Sequence, residues 1–519
     1  MKQTIFITGT TSGLGRELAR RLHLEGHRLI LLGRREMMAS DRSQLEGALY
    51  CRADLSRETI VDVVDRFLRA HKITRIDWLI HNAGVGYYGP VQLQPPGSID
   101  SLVDVNLWAP IALTHSLLPR LRAAGARSRV TVISSMAARF ACPDYAVYAA
   151  AKAGVNAFLR SLRVELASEL RVQTILPGGV ATGMHAKMGI PVDVMNPASF
   201  MATADAVEGI LALAAGRAGE RSLSAGLGLA GRAAEWAPSL VDGRVRCREP
   251  VALPGLEPTK RAVVTGAGAG LGRALTLAWL AAGWDVIGAD RDMIGLQNTA
   301  TAAGEGGARF RSVSCDLLTE AGRDRLLTAA KDAGGADVWV HNAGISCVGP
   351  FADSDPEAQR RVLDLNLRTP LQLTAGLLHN GLLADGGSVV FVGSLARFTG
   401  YPGAAVYAAT KAGIGSYARS LRRSLAPRAH VLEVCPGPMR TAHAARYSPH
   451  ADREDSRLPP EDVAAAILQA VDRRQSLLIP GLANRVMARV GVHAPPVADA
   501  IMRRVLYAPI RATGFSASE

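Results

Sequence analysis

The sequence predicts two doubly wound α/β domains in tandem, each built on a parallel sheet. Short apolar runs alternate with helix-length segments along the chain, a pattern typical of βαβ units. A series of short motifs also occurs twice in the same order, so that "AVYAAAKAG" at 146–154 returns as "AVYAATKAG" at 405–413. A chain of 519 residues is long enough for two such domains, each with a core of its own.

The elements of the two halves follow one plan. Each half opens with an apolar strand, a glycine-rich turn and a helix, at 4–22 and at 261–280. A second apolar strand ends at "LILLGRR" (29–35) or "DVIGADR" (285–291). The later matches are "ADL" (53–55) and "CDL" (315–317), "DWLIHNAG" (77–84) and "DVWVHNAG" (337–344), "DVNL" (104–107) and "DLNL" (364–367), "VTVISS" (130–135) and "VVFVGS" (389–394), and "LPGGVAT" (176–182) and "CPGPMRT" (435–441).

The repeat predicts the domain boundaries. The first domain covers 1–245, a linker rich in proline and glycine covers 246–259, and the second domain covers 260–476. A tail at 477–519 follows, in which arginines alternate with apolar residues at helical spacing. Two interpretations of the tail stay open: an interfacial or partner-binding helix, or an amphipathic helix packed along a domain edge.

Composition excludes several classes of function. The net charge is +13, but no block of basic residues and no basic–aromatic interleaving occurs, so we expect no nucleic-acid partner. No uncharged apolar run reaches the ~18 residues of a membrane span, and the first strand begins at Thr4, which leaves no room for a signal peptide. We therefore expect a cytoplasmic protein. No CxxC pair and no metal-ligand spacing occurs among the six cysteines, which are Cys51, Cys142, Cys247, Cys315, Cys347 and Cys435.

The glycine-rich turns predict two nucleotide sites. A turn between a strand and a helix can present backbone amides and the helix dipole to a pyrophosphate when no side chain blocks the approach. The pattern is TGxxxGxG in both halves, and its glycines are Gly9, Gly13 and Gly15, and Gly266, Gly270 and Gly272.

The end of the second strand predicts different cofactors for the two halves. Asp290 can hydrogen-bond the adenosine ribose hydroxyls and repels a 2′-phosphate, so the second domain should bind NAD. At the same spacing the first domain has Gly33 followed by Arg34 and Arg35, which offer guanidinium groups to a 2′-phosphate. The first domain should therefore bind NADP. The alternative is that Arg34 lies on a solvated turn.

A tyrosine and a lysine four residues apart occur in both halves, in a helix-favouring stretch. They share a helix face, and a fixed ammonium close to a phenol favours the phenolate and brings its pKa towards a useful range. A serine at the end of an apolar strand precedes each tyrosine at the same spacing and can hydrogen-bond a developing alkoxide. These residues are Ser135, Tyr148 and Lys152, and Ser394, Tyr407 and Lys411.

The ordered set TGxxxGxG, NAG, strand-end serine, YxxxK and PGxxxT resembles the short-chain dehydrogenase/reductase family. Both halves match, so the resemblance implies two Rossmann-like doubly wound parallel-sheet domains in tandem. It implies that tyrosine transfers the proton, serine positions the substrate oxygen, lysine holds the nicotinamide ribose, and an asparagine completes a proton relay through water. The residues that carry these roles are Asn106, Ser135, Tyr148 and Lys152, and Asn366, Ser394, Tyr407 and Lys411.

The resemblance also implies cofactor contacts. Asp54 and Asp316 would contact the adenine, and Thr182 and Thr441 would reach the carboxamide. The remaining implied contacts are Ser12 in the first turn, and Asn82 and Asn342, which would support sheet and cofactor. No metal is implied. The halves are expected to dock as an intrachain pseudo-dimer through the helices that carry Asn and YxxxK, and further homo-oligomerisation stays open.

The segments after PGxxxT differ between the halves. The first, 183–201, holds four methionines and a phenylalanine, whereas the second, 442–458, is polar and charged. The first composition indicates a lipophilic substrate, with loose loop composition as the alternative. We therefore expect an NAD(P)-dependent oxidoreductase that interconverts secondary alcohols and ketones at two sites. Two alternatives stay open: coupled oxidation and reduction with net epimerisation, and a non-catalytic nucleotide-sensing scaffold.

Overall fold

The computed structural model of the chain describes residues 2–188, 190, 200–236, 238–242, 245, 256, 259–449 and 457–518. Most of the expected linker, the stretches 191–199 and 450–456 of the segments after PGxxxT, and Cys247 lie outside the described residues. The chain forms two compact units. Unit 1 comprises Met1–Tyr88, Asp100–Phe140 and Val147–Val241, and unit 2 comprises Gly89–Ile99, Ala141–Ala146 and Asp242–Glu519.

The first half of the chain builds a seven-stranded parallel sheet of order β3-β2-β1-β4-β5-β6-β7. Its elements are β1 (Thr4–Thr8), α1 (Gly13–Leu24), β2 (Arg28–Gly33), α2 (Ala39–Gln44), β3 (Leu49–Arg52), α3 (Ile60–Ala70), β4 (Trp78–His81), α4 (Pro96–Val103), α5 (Ala109–Arg122), β5 (Arg129–Ile133), α6 (Ala146–Glu165), β6 (Arg171–Leu176), α7 (Met184–Lys187), α8 (Thr203–Ala215), β7 (Gly219–Ser222), α9 (Ala225–Trp236) and α10 (Pro238–Asp242).

Helices cover both faces of this sheet. On one face α1 and α8 pack together over a core that includes Ile5, Ile7, Leu18 and Ile210. On the other face α3 packs against α5. Because both faces are covered, the central strands are apolar along their length, as in Ile5–Ile7, rather than alternating between apolar and polar.

The second half repeats this sheet with the order β10-β9-β8-β11-β12-β13-β14. Its elements are β8 (Arg261–Thr265), α11 (Gly270–Ala281), β9 (Asp285–Asp290), α12 (Met293–Ala302), β10 (Phe310–Ser314), α13 (Glu320–Asp332), β11 (Ala336–His341), α14 (Pro356–Leu363), α15 (Thr369–His379), β12 (Leu383–Val392), α16 (Ala396–Thr399), α17 (Ala405–Leu425), β13 (His430–Val434), α18 (Ala442–Arg446), α19 (Pro460–Asp472), β14 (Leu477–Leu478), α20 (Leu482–His493), α21 (Pro495–Met502) and α22 (Ala508–Thr513).

The core of the second sheet matches that of the first. α11 packs against α19, and the two helices share a cluster with Val264, Val340 and Val390 on the strands. All seven strands are parallel, with β8 between β9 and β11. The predicted fold class, two doubly wound parallel-sheet domains in tandem, is therefore confirmed.

The glycine-rich turns bring each first helix unusually close to its strand. A Cβ atom on Gly15 would overlap the carbonyl oxygen of Gly9, and one on Gly272 would overlap that of Gly266. Gly9 and Gly266 also have φ angles of 74° and 72°, in the left-handed region that favours glycine. The first turn of α1 or α11 can pack here only without side chains.

Residues 477–518 fold as β14 followed by α20, α21 and α22, with a π-helical turn, Arg503–Tyr507, between the last two. The chain then returns to the loop that follows β11, where Ala517 pairs with Val348 in an antiparallel bridge with two backbone hydrogen bonds of 2.8 Å. Ile510 is buried with Val348 and Tyr447 in a small cluster that also contacts Tyr407. The end of the chain therefore lies beside a predicted catalytic tyrosine.

Gly272→Ala should destabilise unit 2 by about 1–3 kcal/mol, because the new methyl group forces α11 away from Gly266. Differential scanning calorimetry of the full chain should show a lower transition midpoint for unit 2. Gly306→Ala is the matched control, since the nearest heavy atom to its new Cβ lies at 3.6 Å. Equal midpoints for the two variants would show that the close approach is not a constraint.

Candidate active sites

Each candidate site lies at the carboxyl edge of a sheet, between its first and fourth strands, where the strand order reverses. This edge is where doubly wound sheets form ligand crevices. Asn82, directly after β4, donates from its side-chain amide to the carbonyl oxygens of Thr8 (3.0 Å) and Gly9 (3.1 Å). Asn342 makes the same bonds to Thr265 (2.9 Å) and Gly266 (3.4 Å). These asparagines fix the glycine-rich turns, and direct cofactor contact by them stays a prediction.

The PGxxxT threonines lie against the same turns. A Cβ on Gly13 would meet Thr182 at 3.4 Å, and one on Gly270 would meet Thr441 at 3.3 Å. Thr441 caps α18 by accepting from the amide of Ala444 at 3.2 Å. The structure thus brings each threonine to the N-terminus of the helix expected to receive the pyrophosphate.

The ends of β2 and β9 differ in a way that the sequence did not fully reveal. The Asp290 carboxylate accepts from the amide of Gly268 at 2.9 Å, and a Cβ on Gly268 would meet it at 2.9 Å. At the corresponding places the first half has Gly33 and Thr11. A Cβ on Gly33 would lie 2.7 Å from the Thr11 methyl group and 2.5 Å from the hydroxyl oxygen of Tyr50. An acidic side chain would fit there only if Thr11 or Tyr50 moved.

The arginines after Gly33 are exposed at the same edge. Arg34 and Arg35 both point to solvent, and the Arg34 charge acts on Asp54. Burial opposes the charge of Asp54, but hydrogen bonds from Ser56 (3.0 and 2.8 Å) and the arginine charges hold its pKa below the ordinary value. Asp54 therefore stays ionised. The counterpart Asp316 is exposed and accepts from the amide of Leu318 at 2.9 Å. Ser12 is exposed at the N-cap of α1.

The predicted lysines and asparagines lie together in both units. The Lys152 ammonium donates to the Ile133 carbonyl at 3.3 Å, and the Lys411 ammonium donates to Val392 at 2.9 Å. A Cβ on Gly84 would lie 3.0 Å from Asn106 Oδ1 and 3.7 Å from Lys152 Nζ. In the second unit, a Cβ on Gly344 would lie 3.0 Å from Asn366 Oδ1 and 3.6 Å from Lys411 Nζ. Burial lowers the pKa of both lysines to about 8.

Each tyrosine lies on the same helix as its lysine. Lys152 Nζ is 5.8 Å from the centre of the Tyr148 ring, and Lys411 Nζ is 5.5 Å from that of Tyr407. Burial raises the pKa of Tyr407, while a hydrogen bond with Ser394 acts against the rise. Ser135 caps a short 3₁₀ turn by accepting from the amide of Ala137 at 3.1 Å. Tyrosine, lysine and asparagine thus lie together in each unit, and in the second unit the serine is hydrogen-bonded to the tyrosine.

The asparagines lie in a feature that sequence reasoning missed. Asp104–Trp108 and Asp364–Arg368 form single π-helical turns, between α4 and α5 and between α14 and α15. Asn106 exchanges hydrogen bonds with the backbone of Val85 (3.2 and 2.9 Å), and Asn366 does so with Ile345 (2.9 and 2.8 Å). Such π turns occur often at functional sites. In the sequence, the repeat of "DVNL" and "DLNL" was the feature that could have indicated these turns.

The histidines of the two "HNAG" motifs are buried and neutral. His81 Nε2 lies 3.0 Å from the Thr114 hydroxyl, and His341 Nε2 lies 3.1 Å from that of Thr374. Burial lowers the pKa of each histidine to about 3, with a further contribution from Lys152 at His81. Neither histidine can therefore exchange a proton near neutral pH.

Apolar side chains lie beside the PGxxxT loop and the NAG segment of the first unit. Met188 lies over Gly86, and Phe200 lies over Gly179 and stacks on His185 with ring centres 4.8 Å apart. Leu227 on α9 would lie 2.7 Å from a Cβ on Gly178. The described part of segment 183–201 therefore places apolar groups beside the PGxxxT loop.

Unit 2 contains a cavity of about 780 Å³ that reaches from Asp290 to Tyr407 and Lys411. Its walls include residues that sequence reasoning missed. Tyr401 meets Tyr407 edge to face, with ring centres 6.1 Å apart. Further wall residues are His443 and Arg446 on α18, and Met487, Ile501, Met502, Val505 and Leu506 from the C-terminal helices. Segment 442–458 is polar, but the tail supplies apolar wall that its composition did not predict.

Within the described residues, no group of His, Cys, Asp and Glu side chains is arranged to hold a metal ion. No helix in the described ranges is long and apolar enough to cross a membrane. Five of the six cysteines fall in those ranges, and all five are free thiols.

Several known proteins are similar to this chain. It is 34% identical over 194 residues to dehydrogenase/reductase SDR family member 7B of Xenopus tropicalis, covering 35% of this chain and 62% of the relative's length. It is 29% identical over 214 residues to an uncharacterized oxidoreductase of Staphylococcus aureus, covering 41% of this chain and 90% of that protein.

Two solved structures extend over nearly the whole chain. The C-domain of a bacterial malonyl-CoA reductase, solved with NADP, has a TM-score of 0.67 at 16% identity, with 92% of this chain and 98% of that chain covered. The N-domain of a bacterial malonyl-CoA reductase gives 0.63 at 15% identity, with 92% and 97% covered. At this identity the similarity concerns the fold, and it supports the tandem arrangement.

The family match covers both halves. The model of the short chain dehydrogenase family matches residues 3–191 and again 260–452, which is more than half of the chain. Both matched stretches contain a full set of the motifs from which the resemblance was drawn. The chain therefore belongs to the short-chain dehydrogenase/reductase family of oxidoreductases, with two complete copies of the family's domain in tandem.

Proposed function

We propose that the chain is an NAD(P)-dependent oxidoreductase that interconverts secondary alcohols and ketones at two sites. The observation that carries the proposal is that Asn, Lys and Tyr side chains lie together in both units, with a serine hydrogen-bonded to the tyrosine in the second. A scaffold that only sensed nucleotides would not need a tyrosine beside a buried lysine in each copy.

The four side chains fit a proton transfer to a carbonyl oxygen. The nicotinamide, when bound, supplies the hydride that adds to the carbonyl carbon. The tyrosine hydroxyl gives its proton to the carbonyl oxygen, which becomes the alcohol, and the tyrosine is left as a phenolate. The serine hydroxyl donates a hydrogen bond to the same oxygen as charge develops. The lysine ammonium stabilises the phenolate, and the reverse transfers oxidise the alcohol.

We assign NADP to the first site and NAD to the second. Asp290 accepts a hydrogen bond from Gly268 and presents a carboxylate where an adenosine ribose would lie. In the first half Thr11 and Tyr50 fill the corresponding space, and the exposed Arg34 and Arg35 replace the negative charge with positive charge. A 2′-phosphate is repelled by the Asp290 carboxylate and attracted by the two arginines.

The substrate is proposed to be lipophilic at both sites. Met188, Phe200 and Leu227 support this at the first site. At the second site the support comes from the apolar part of the cavity wall, including Met487 and Ile501. Apolar walls with a few convergent polar groups are typical of pockets for drug-sized apolar ligands. Pseudo-dimer docking of the halves and homo-oligomerisation stay predictions of the resemblance.

Tyr148→Phe and Tyr407→Phe should each lower the kcat of ketone reduction at their own site by about 10²–10⁴-fold, because the proton donor is lost. Steady-state assays with NADPH and with NADH, on one variant at a time, should assign one activity to each tyrosine. Tyr417→Phe is the control, since this buried tyrosine lies on the same helix as Tyr407 and packs on Phe391 instead. Full turnover in both active-site variants would refute the catalytic assignment.

The kcat/KM of ketone reduction should fall above pH about 8. The lysines carry their charge below a pKa of about 8, and the phenolate left after proton transfer loses that stabilisation once they are deprotonated. A pH profile of the free enzyme measures this directly. A profile that stays flat up to about pH 10, the ordinary range of lysine, would contradict a buried ammonium as the responsible group.

Arg34→Gln in a Tyr407→Phe background should lower kcat/KM with NADPH by about 10–100-fold and leave that with NADH nearly unchanged, since one charge-assisted hydrogen bond is removed. Arg28→Gln is the matched control, because Arg28 is exposed at the opposite end of β2. No loss with either cofactor would place Arg34 on a solvated turn, and equal losses with both would contradict a specific role in 2′-phosphate binding.

A further inference from the structure

The C-terminal helices keep large apolar side chains in water. On α20, Leu482 is 72% exposed and Val486 50%, and on α21 Val497 is 53% exposed. Ile501 and Val505, one and two turns further on, are exposed as well. Single exposed apolar residues are common on protein surfaces, but five of them within one helical segment, at one-turn spacing as the pair Leu482 and Val486 and as the row Val497, Ile501 and Val505, are a typical sign of an interaction site. We call these five residues the apolar set.

The opposite sides of the same helices are held in place by packing. A Cβ on Gly491 of α20 would overlap the carbonyl oxygen of Phe398, and Ala488 is buried. Ile510 on α22 is fully buried, and its Cδ1 would lie 2.6 Å from a Cβ on Gly403. The backbone pair of Ala517 and Val348 closes the segment. The helices therefore cannot rotate to bury the apolar set without losing these contacts.

Five arginines accompany the apolar set: Arg485, Arg489, Arg503, Arg504 and Arg511. All five are exposed, and no acidic side chain in the described part of the chain forms an ion pair with any of them. Asp499 is the one acidic residue of the sequence between 482 and 518. Helices with apolar and basic side chains mixed on the exposed side are typical of segments that lie in a membrane interface.

We propose that α20, α21 and α22 form a docking surface for an anionic phospholipid bilayer. The apolar set enters the region between headgroups and acyl chains, and the five arginines bind lipid phosphates. A second copy of this chain fits the surface less well, because a two-fold contact would set arginines against arginines. A nucleic acid would leave the apolar set in water.

The surface adjoins the cavity of the second site. Ile501 and Val505 belong to the apolar set and also line that cavity, together with Met487 and Met502 of the same helices. A lipophilic molecule dissolved in the bilayer can therefore reach the cavity past side chains that are themselves inserted in the interface. This consequence rests on the proposed function, whereas the docking itself does not.

The test is sedimentation of the full chain with phospholipid vesicles. The protein should pellet with vesicles that contain phosphatidylglycerol, much less with vesicles of phosphatidylcholine alone, and less as salt is raised. Protein that stays in the supernatant with both kinds of vesicle at low salt overturns the proposal.

Two variants test the residues. Arg485→Gln, Arg489→Gln, Arg503→Gln and Arg504→Gln combined should weaken the apparent affinity for anionic vesicles at least ~10-fold, since each basic residue near the surface contributes. The control removes four exposed arginines elsewhere, by Arg28→Gln, Arg66→Gln, Arg127→Gln and Arg473→Gln. Equal losses in the two variants would indicate non-specific attraction by net charge and overturn the proposal.

Replacement of three members of the apolar set, by Leu482→Ser, Val486→Ser and Val497→Ser, should also weaken vesicle binding, including at high salt. If this variant instead changes only the oligomeric state measured by light scattering, the surface binds a second copy. The doubly inactive chain with Tyr148→Phe and Tyr407→Phe should bind vesicles like the unaltered protein. Failure of the catalytic proposal is thereby distinguished from failure of the docking proposal.

Discussion

Both sites depend on one close packing contact, in which a glycine-rich turn is held against the end of the fourth strand by an asparagine amide. Asn82 spans β4 and β1 by donating to Thr8 and Gly9, and Asn342 does the same in the second sheet. The contact leaves no room for a Cβ on Gly15 or Gly272. It therefore directs the free amides at the N-terminus of α1 or α11 towards the edge that also holds the serine and the lysine.

The second constraint is electrostatic, and its cause is the burial of the lysine side chains. The backbone that surrounds the lysines is buried, so each ammonium has a strand carbonyl as its hydrogen-bond partner and a pKa of about 8. The same burial raises the pKa of Tyr407. Before a substrate binds, the proton consequently stays on Tyr407, which is the state that the proposed proton donor requires. In the proposed mechanism the ammonium acts when negative charge appears on the tyrosine oxygen, so its stabilisation is directed at the product of proton transfer.

The fold class and the residue types at the edge of each sheet could be predicted from the sequence. Both follow from local patterns along the chain, namely the alternation of strands with helices and the repeated motifs. The sequence did not predict the π turns at Asn106 and Asn366, since one extra residue in a helical turn leaves no mark on a short apolar pattern. It also missed the packing of Thr11 and Tyr50, which would have to move for a side chain at Gly33. The apolar wall of the second cavity was not predicted from the sequence, for a different reason. Residues such as Ile501 and Tyr407 are distant in sequence, and only tertiary packing brings them to the wall of the same cavity.

The two copies differ chiefly in the helices that come after their last strand. In the first half α9 comes after β7 and packs Leu227 near Gly178, and in the second half α20 comes after β14 and packs Asn484 against Gly437. α20 is therefore the counterpart of α9, so part of the segment 477–519 belongs to the shared plan. α21, α22 and the pairing of Ala517 with Val348 are additions of the second copy in the described chain. The residues proposed for catalysis are thus the same in both copies, whereas the elements that pack beside the site from outside the sheet differ. A duplicated site can acquire a new route of entry in this way without any change to the residues that move the proton.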